Sequence, residues 1–140
     1  MKAKNLLFLC VVLLSTTILT FTGCGKYEDG PAFSLRSKKG RVCNTWKFEK
    51  VFQINTGLDQ TSDFSESSVE FKKDGTYIWT EGSSSTIGTW VFASNKENIV
   101  LTENGSSSGD TYPIKKLKEN EFWFTDGDYQ YASEYHLSPK

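Results

Sequence analysis

Apolar and polar residues alternate with a period of two along most of the chain beyond residue 44. The clearest run is 68–79, where Val69 and Phe71 alternate with Glu70 and Lys72, and Tyr77 and Trp79 alternate with Ile78 and Thr80. Between the two halves sits Asp74-Gly75, a pair that accepts positive φ at both centres of a type I′ turn. The run therefore reads as a hairpin with strands at 67–73 and 76–82. Upstream, Trp46, Phe48, Lys50, Phe52 and Ile54 share one face, and Lys47, Glu49, Val51 and Gln53 share the other. Helical spacing fits these residues less well than a period of two. Lys50 interrupts the apolar face, where its stem can lie along apolar surface with the amine in water.

The pattern repeats downstream. Gly88, Trp90 and Phe92 mark one face of a strand at 86–93, and Ile99 and Leu101 one face of 98–103. Tyr112, Ile114 and Leu117 belong to 110–118, where the change of phase and Pro113 together predict a bulge. Segments 121–125 and 129–137 complete the series. No stretch of ten residues has capped helical periodicity, although 33–41 has room for a short helical turn. Eight strands with mostly short connections predict an all-β chain with antiparallel neighbours: an eight-stranded antiparallel up-and-down β-barrel with little or no helix. An open meander or a two-sheet sandwich is the alternative built from the same strands.

Successive turns of such a barrel alternate between its ends. Turns 56–67, 82–85, 104–109 and 126–128 fall at one end, and 74–75, 94–97 and 119–120 at the other. The first set is longer and richer in Ser and Gly, so it marks an open mouth lidded by 56–67. Inward alternation near that mouth nominates seven ligand-binding residues. Phe52 and Ile54 precede the long loop, Tyr77 and Trp79 precede the 82–85 turn, Tyr112 follows the Ser-rich loop, and Tyr129 and Tyr131 follow the last turn. A small barrel filled by its own side chains would use the same aromatic row as core.

Composition narrows the chemistry. The chain has 140 residues, enough for one domain, and aromatic residues make up 14% of it. Residues 1–23 read as a leader, with Lys2 and Lys4 ahead of an apolar run from Leu6. Its end, Phe21-Thr22-Gly23-Cys24, resembles a bacterial lipobox, in which the cysteine is lipidated and becomes the new N-terminus. The alternative is an ordinary secretory leader or an uncleaved anchor. The expected organisation is thus a signal peptide at 1–23, a lipidated tether at 24–41 with Cys24 carrying the palmitate-type anchor, and a barrel domain at 42–140. Lys26 followed by Glu28 and Asp29 resembles a surface-export signal of Bacteroidota lipoproteins. That implies an outer-membrane lipoprotein at the cell surface, with a periplasm-facing location as the alternative.

Removing Lys2 and Lys4 changes 16 Lys and Arg against 17 Asp and Glu to 14 against 17, a net charge of −3. Nothing in that balance calls for nucleic acid as a partner. Arg36, Lys38, Lys39 and Arg41 read as a solvated approach to the domain, with Phe33 and Leu35 tucked against it. Cys43, alone in the folded part, reads as a small hydrophobe. The lone His136 faces outward by strand phase, and a single histidine with no second histidine and no cysteine partner beside it makes no zinc site. Nucleophile elbows, phosphate loops and dinucleotide fingerprints are missing, and Asp126-Gly127-Asp128 lacks the remaining ligands of a calcium loop. Glu70, Glu81, Glu103, Glu121 and Glu134 read as outward or strand-end residues, which speaks against a carboxylate pair. No cofactor and no enzymatic activity are expected.

Three motifs carry a family resemblance: Asn44-Thr45-Trp46, the turn Phe71-Lys72-Lys73-Asp74-Gly75-Thr76-Tyr77, and Gly88-Thr89-Trp90. Together they resemble the lipocalin-like domain of small Bacteroidota lipoproteins across 42–137. The resemblance implies a calycin-type barrel with an apolar cavity and no settled ligand. The expected function is binding of a small apolar or amphipathic ligand at the open end of a membrane-anchored barrel. The alternative is a filled barrel that serves as an interaction module for a surface-protein partner.

Overall fold

The computed structural model describes residues 35–127 and 129–140. The expected leader, Cys24, Phe33 and the export-like Lys26-Tyr27-Glu28-Asp29 run lie outside the described residues, as does Asp128.

Eight strands form one closed antiparallel barrel in chain order. They are β1 (Thr45–Gln53), β2 (Ser67–Phe71), β3 (Thr76–Glu81), β4 (Ser84–Ala93), β5 (Asn98–Glu103), β6 (Asp110–Leu117), β7 (Phe122–Thr125) and β8 (Ser133–Pro139). Closure comes from β8 pairing with β1, Gln53 opposite Ser133 at one end and Trp46 opposite Pro139 at the other. Because every strand has a partner on both sides, the barrel leaves no free sheet edge. The up-and-down topology predicted from the alternation is the one observed.

The interior is filled at the end where β1 begins and β2 ends. Trp46 packs on Phe122 with ring centroids 5.7 Å apart, Phe71 on Trp90 at 5.7 Å, and Phe71 on Phe122 at 5.8 Å. A five-residue helix, α1 (Lys38–Val42), closes this end. Its cap is Ser37, whose Oγ accepts from Gly40 N at 3.0 Å. Val42 is fully buried, and its carbonyl accepts from Trp46 Nε1 at 2.9 Å. The short helical turn expected in 33–41 is thus present, one residue longer at its end. Leu35 does not tuck in; it is 92% exposed.

Three local departures from strict alternation alter the side-chain map. The Asp74-Gly75 turn is not type I′, because only Gly75, at φ 93°, has positive φ. Gly75 N donates to Lys72 O at 3.2 Å and Lys72 N to Thr76 O at 2.8 Å, which makes a turn over 72–75 with Gly75 as a left-handed bulge residue. In β1 the pairing with β8 skips a residue between Phe48 and Lys50. This bulge reverses the phase, so that Val51 is buried and Phe52 turns to the outer wall. The Lys50 interruption is explained by the same bulge. The predicted bulge in β6 is found between Ile114 and Lys116. Finally, the last strand begins at Ser133 and not at Tyr129, since 129–132 form a turn closed by Ala132 N donating to Tyr129 O at 3.0 Å.

Candidate functional site

The longer connections all lie at the end opposite α1. Residues 54–66 link β1 to β2, 104–109 link β5 to β6, and 126–132 link β7 to β8, while Gly82-Ser83 joins β3 to β4 in a tight turn. The first of these folds back over the mouth. Gln60 N donates to Val51 O at 2.9 Å, Gln53 N to Leu58 O at 2.9 Å, and Val51 N to Thr61 Oγ1 at 3.0 Å. A short 3-10 turn, Thr61–Phe64, then drops Phe64 into the barrel against Phe48 at 5.2 Å and Tyr135 at 5.6 Å. Tyr135 is held in turn by its hydroxyl, which donates to Asp126 Oδ2 at 3.0 Å. Half of the mouth, over β1 and β8, is plugged in this way.

The other half is open. A cavity of about 310 Å³ lies within the walls of β3, β4, β5 and β6 and under the 104–109 loop. Tyr77, Trp79 and Glu81 reach it from alternate positions of β3. Across the sheet, Thr86 stands opposite Trp79, and Gly88 opposite both Tyr77 and Glu103. Leu101 and Asp110 face each other on β5 and β6, with Tyr112 one pleat further along. Ser106 and Ser108 come from the loop above.

Depth sorts these groups. Tyr77 and Leu101 are buried, Trp79 and Tyr112 half-buried, and Glu81, Glu103 and Asp110 exposed at the rim. Trp79 Nε1 donates to Glu81 Oε1 at 3.0 Å, which ties ring and carboxylate together. Burial, reinforced by Asp110, pushes the Tyr112 hydroxyl up to about 12. The Tyr77 hydroxyl is also raised, by burial first and then by Glu103 and Asp110. Both are therefore neutral donors and acceptors at ordinary pH.

Of the seven residues nominated from the alternation, the cavity brings together Tyr77, Trp79 and Tyr112. Phe52 does not join them, because the β1 bulge points it outward, where its ring meets His136 at 5.5 Å and carries Lys50 Nζ at 4.8 Å. Ile54 lies beyond the strand end and is 41% exposed. Tyr129 and Tyr131 sit in the turn before β8, 57% and 64% exposed, and neither lines the cavity. His136 faces outward as predicted, stacked on Trp123 at 3.8 Å. Glu81 and Glu103, read from sequence as outward or strand-end residues, are strand-end residues that face in. The signal for Glu81 was the period of two that had already placed Tyr77 and Trp79; for Glu103 it was the register with Gly88, which only the fold supplies.

Charge is divided along the barrel axis. Among the described residues, the mouth-end segments 54–66, 81–84, 103–110 and 126–132 hold seven Asp and Glu and no Lys or Arg. At the closed end, 36–44, 72–75, 94–97 and 118–121 hold eight Lys and Arg against four acids.

Solved structures share this arrangement of strands. A lipocalin-like protein from Bacteroides uniformis superposes with a TM-score of 0.56 over 72% of this chain and 100% of that one, at 11% identity. The fold is lipocalin-like. A DUF4847 family protein from Bacteroides vulgatus superposes with a TM-score of 0.50 over 70% of this chain and 93% of that one, at 10% identity. At such identities the likeness is one of fold. No family model matches the chain, and no curated protein does. Within the lipocalin-like barrel, the cavity occupies the open end, where loops on a rigid wall leave room for a ligand.

Proposed function

We propose that this chain is a lipid-anchored, non-enzymatic binding protein of the cell envelope whose barrel mouth takes up a small amphipathic molecule. The observation that carries this reading is the cavity of about 310 Å³, with Tyr77, Leu101 and the rings of Trp79 and Tyr112 inside and carboxylates and serines at its rim. Ligand sites run from roughly 300 to 1,000 Å³, so the space suits a small ligand. A purely apolar ligand fits less well, because most of the lining groups are polar.

The anchor rests on the Phe21-Thr22-Gly23-Cys24 motif, and the outer-membrane and cell-surface location on that motif and the Lys26-Tyr27-Glu28-Asp29 run after it. The deciding experiment is native mass spectrometry of the protein extracted from its own cells. A copurified small molecule is expected, and its release by Trp79→Ala without change in far-ultraviolet circular dichroism would locate it; a ligand-free protein would count against the reading. Separately, radiolabelled palmitate should be lost in Cys24→Ala, and label persisting in that variant would refute the anchor.

One observation favours a second reading, a docking module for a surface protein. The outer wall of β3, β4 and β5 carries Ile78, Ile87, Thr89, Val91, Val100 and Thr102 in cross-strand register, with no charge among them. Ile87 and Val91 are exposed. Loss of a partner from pull-downs with Val91→Lys, with the small-molecule complex intact, would support that alternative.

A further inference from the structure

We propose that the mouth selects an organic cation: an ammonium group drawn in by the carboxylates of Glu81, Glu103 and Asp110 around the rim above the Tyr77 hydroxyl, carried on a short apolar body that lies against Trp79 and Tyr112. The inference rests on the reading of the mouth as a small-molecule site and adds the ligand's charge class to it.

Tyr77 supplies the first argument. Its side chain lines the cavity and is only 5% exposed, yet its hydroxyl has no hydrogen-bond partner among the described residues. Among the described residues, Arg41 Nε and Thr125 Oγ1 are fully buried side-chain atoms without a hydrogen-bond partner, whereas the Tyr77 hydroxyl is one that opens onto the cavity, where a ligand can take the place of water. The ring is held where it is by the backbone opposite. Gly88 faces it across β3 and β4, and a Cβ on Gly88 would come within 2.6 Å of Tyr77 Cε1. The hydroxyl thus faces a space that only a ligand or solvent fills.

The second argument is charge without a counter-charge. Among the described residues, Glu81, Glu103 and Asp110 enter no ion pair. The mouth-end segments contain no Lys or Arg to compensate them. Walls of low dielectric concentrate such a field inside the cleft and draw in a cation.

The third argument separates an organic cation from a metal ion. Among the described residues, no three His, Cys, Asp or Glu side chains approach closely enough to hold a metal. The carboxylates come from β3, β5 and β6 and surround a cavity of about 310 Å³, with aromatic rings between them. A body of several heavy atoms can touch carboxylates and rings together. The faces of Trp and Tyr attract cations, most strongly when water is excluded. The Trp79 ring is also fixed by its bond to Glu81, so one residue pair presents a π-face and a carboxylate in a set relation.

Isothermal titration calorimetry on the full chain, at low ionic strength, with hexylammonium, 1-hexanol and hexanoate as size-matched probes tests the charge class. Hexylammonium should bind at least about tenfold more tightly than 1-hexanol, in keeping with a cation–π and carboxylate site, and should weaken as salt is raised. Hexanoate should not bind measurably. Glu103→Gln and Glu81→Gln should each bring the hexylammonium-to-hexanol ratio towards one, while Glu70→Gln on the outer wall should leave the ratio as it is. Equal or tighter binding of 1-hexanol or hexanoate would overturn the cation inference and leave the small-molecule site standing. Displacement of hexylammonium by calcium at equimolar concentration would overturn it in favour of a metal site. No binding of any probe, with no copurified molecule in native mass spectra, would overturn both readings.

Discussion

Gly88 has no room for a side chain. A Cβ there would collide with Thr102 O on the neighbouring strand and with the Tyr77 ring, and would approach Glu103 Cα to 2.9 Å. Two of these contacts are with backbone that cannot give way, so Gly88→Ala should lower stability by about 1–3 kcal/mol, the range for overpacking a close-packed interior. The shift of the urea midpoint measures it, and an unchanged midpoint would mean that the β4–β5 pairing is looser than described. Tyrosine ionisation gives a second prediction at this scale. The Tyr112 hydroxyl is held up to about 12, and that of Tyr135 is raised further by burial and then by Asp126, against an ordinary value of 10.0. Folding therefore favours the neutral forms. Their contribution is complete below about pH 10 and is lost as pH rises through the folded values, because the unfolded chain gives up those protons first. An alkaline titration followed by tyrosinate absorbance should show Tyr112 and Tyr135 ionising last, together with unfolding, and Tyr112→Phe should remove part of that late amplitude. Burial likewise raises the Cys43 thiol above its usual value, which leaves it a poor nucleophile at neutral pH.

The elements show how one inserted residue redirects a strand. Beyond the bulge at Glu49, Val51 takes the interior position and Phe52 lies outside over Lys50 and against His136. Val51→Ser should then cost roughly 2–4 kcal/mol, as expected for loss of packing together with burial of a hydroxyl. Phe52→Ser, despite removing the larger side chain, should cost less, and parallel denaturation curves with the reverse order would place the bulge elsewhere. This bulge also marks what the sequence could not reveal. Period-two alternation was enough for eight strands, their order and the separation of long from short connections, because each strand buries one face and the short turns force neighbours to be antiparallel. Alternation carries no information about an extra residue unless the apolar pattern visibly changes phase. It did so at Ile114 and Leu117, where the bulge was legible. It did not at Phe48, because Val51 and Phe52 are both apolar and either could face in. Tyr129 and Tyr131 were misplaced for a related reason: their alternation with Gln130 continues into Tyr135, although the chain turns back between them. The cavity was legible on β3, where the phase is unbroken. It was hidden on β5 and β6, where Glu103 and Asp110 acquire meaning only from the strands opposite.

At the scale of the whole molecule, closure and charge work along the same axis. The aromatic interior and α1 seal one end, and Phe64 seals half of the other, so access is confined to the side of the mouth formed by β3 to β6. The formal net charge of the chain is only −1, yet the acids gather at the mouth and the bases at the sealed end. A net charge near zero describes a sum, and this sum conceals two opposed faces. The protein is in effect an electrical dipole as long as the barrel itself. Near neutral pH and at low salt it should be retained on cation exchangers through the sealed end and on anion exchangers through the mouth, where a protein with the same charges evenly mixed would pass through both. Lys72→Glu with Lys73→Glu should abolish retention on the cation exchanger alone. Elution of the unaltered protein in the void of both columns would mean that its charges are not divided as the fold divides them.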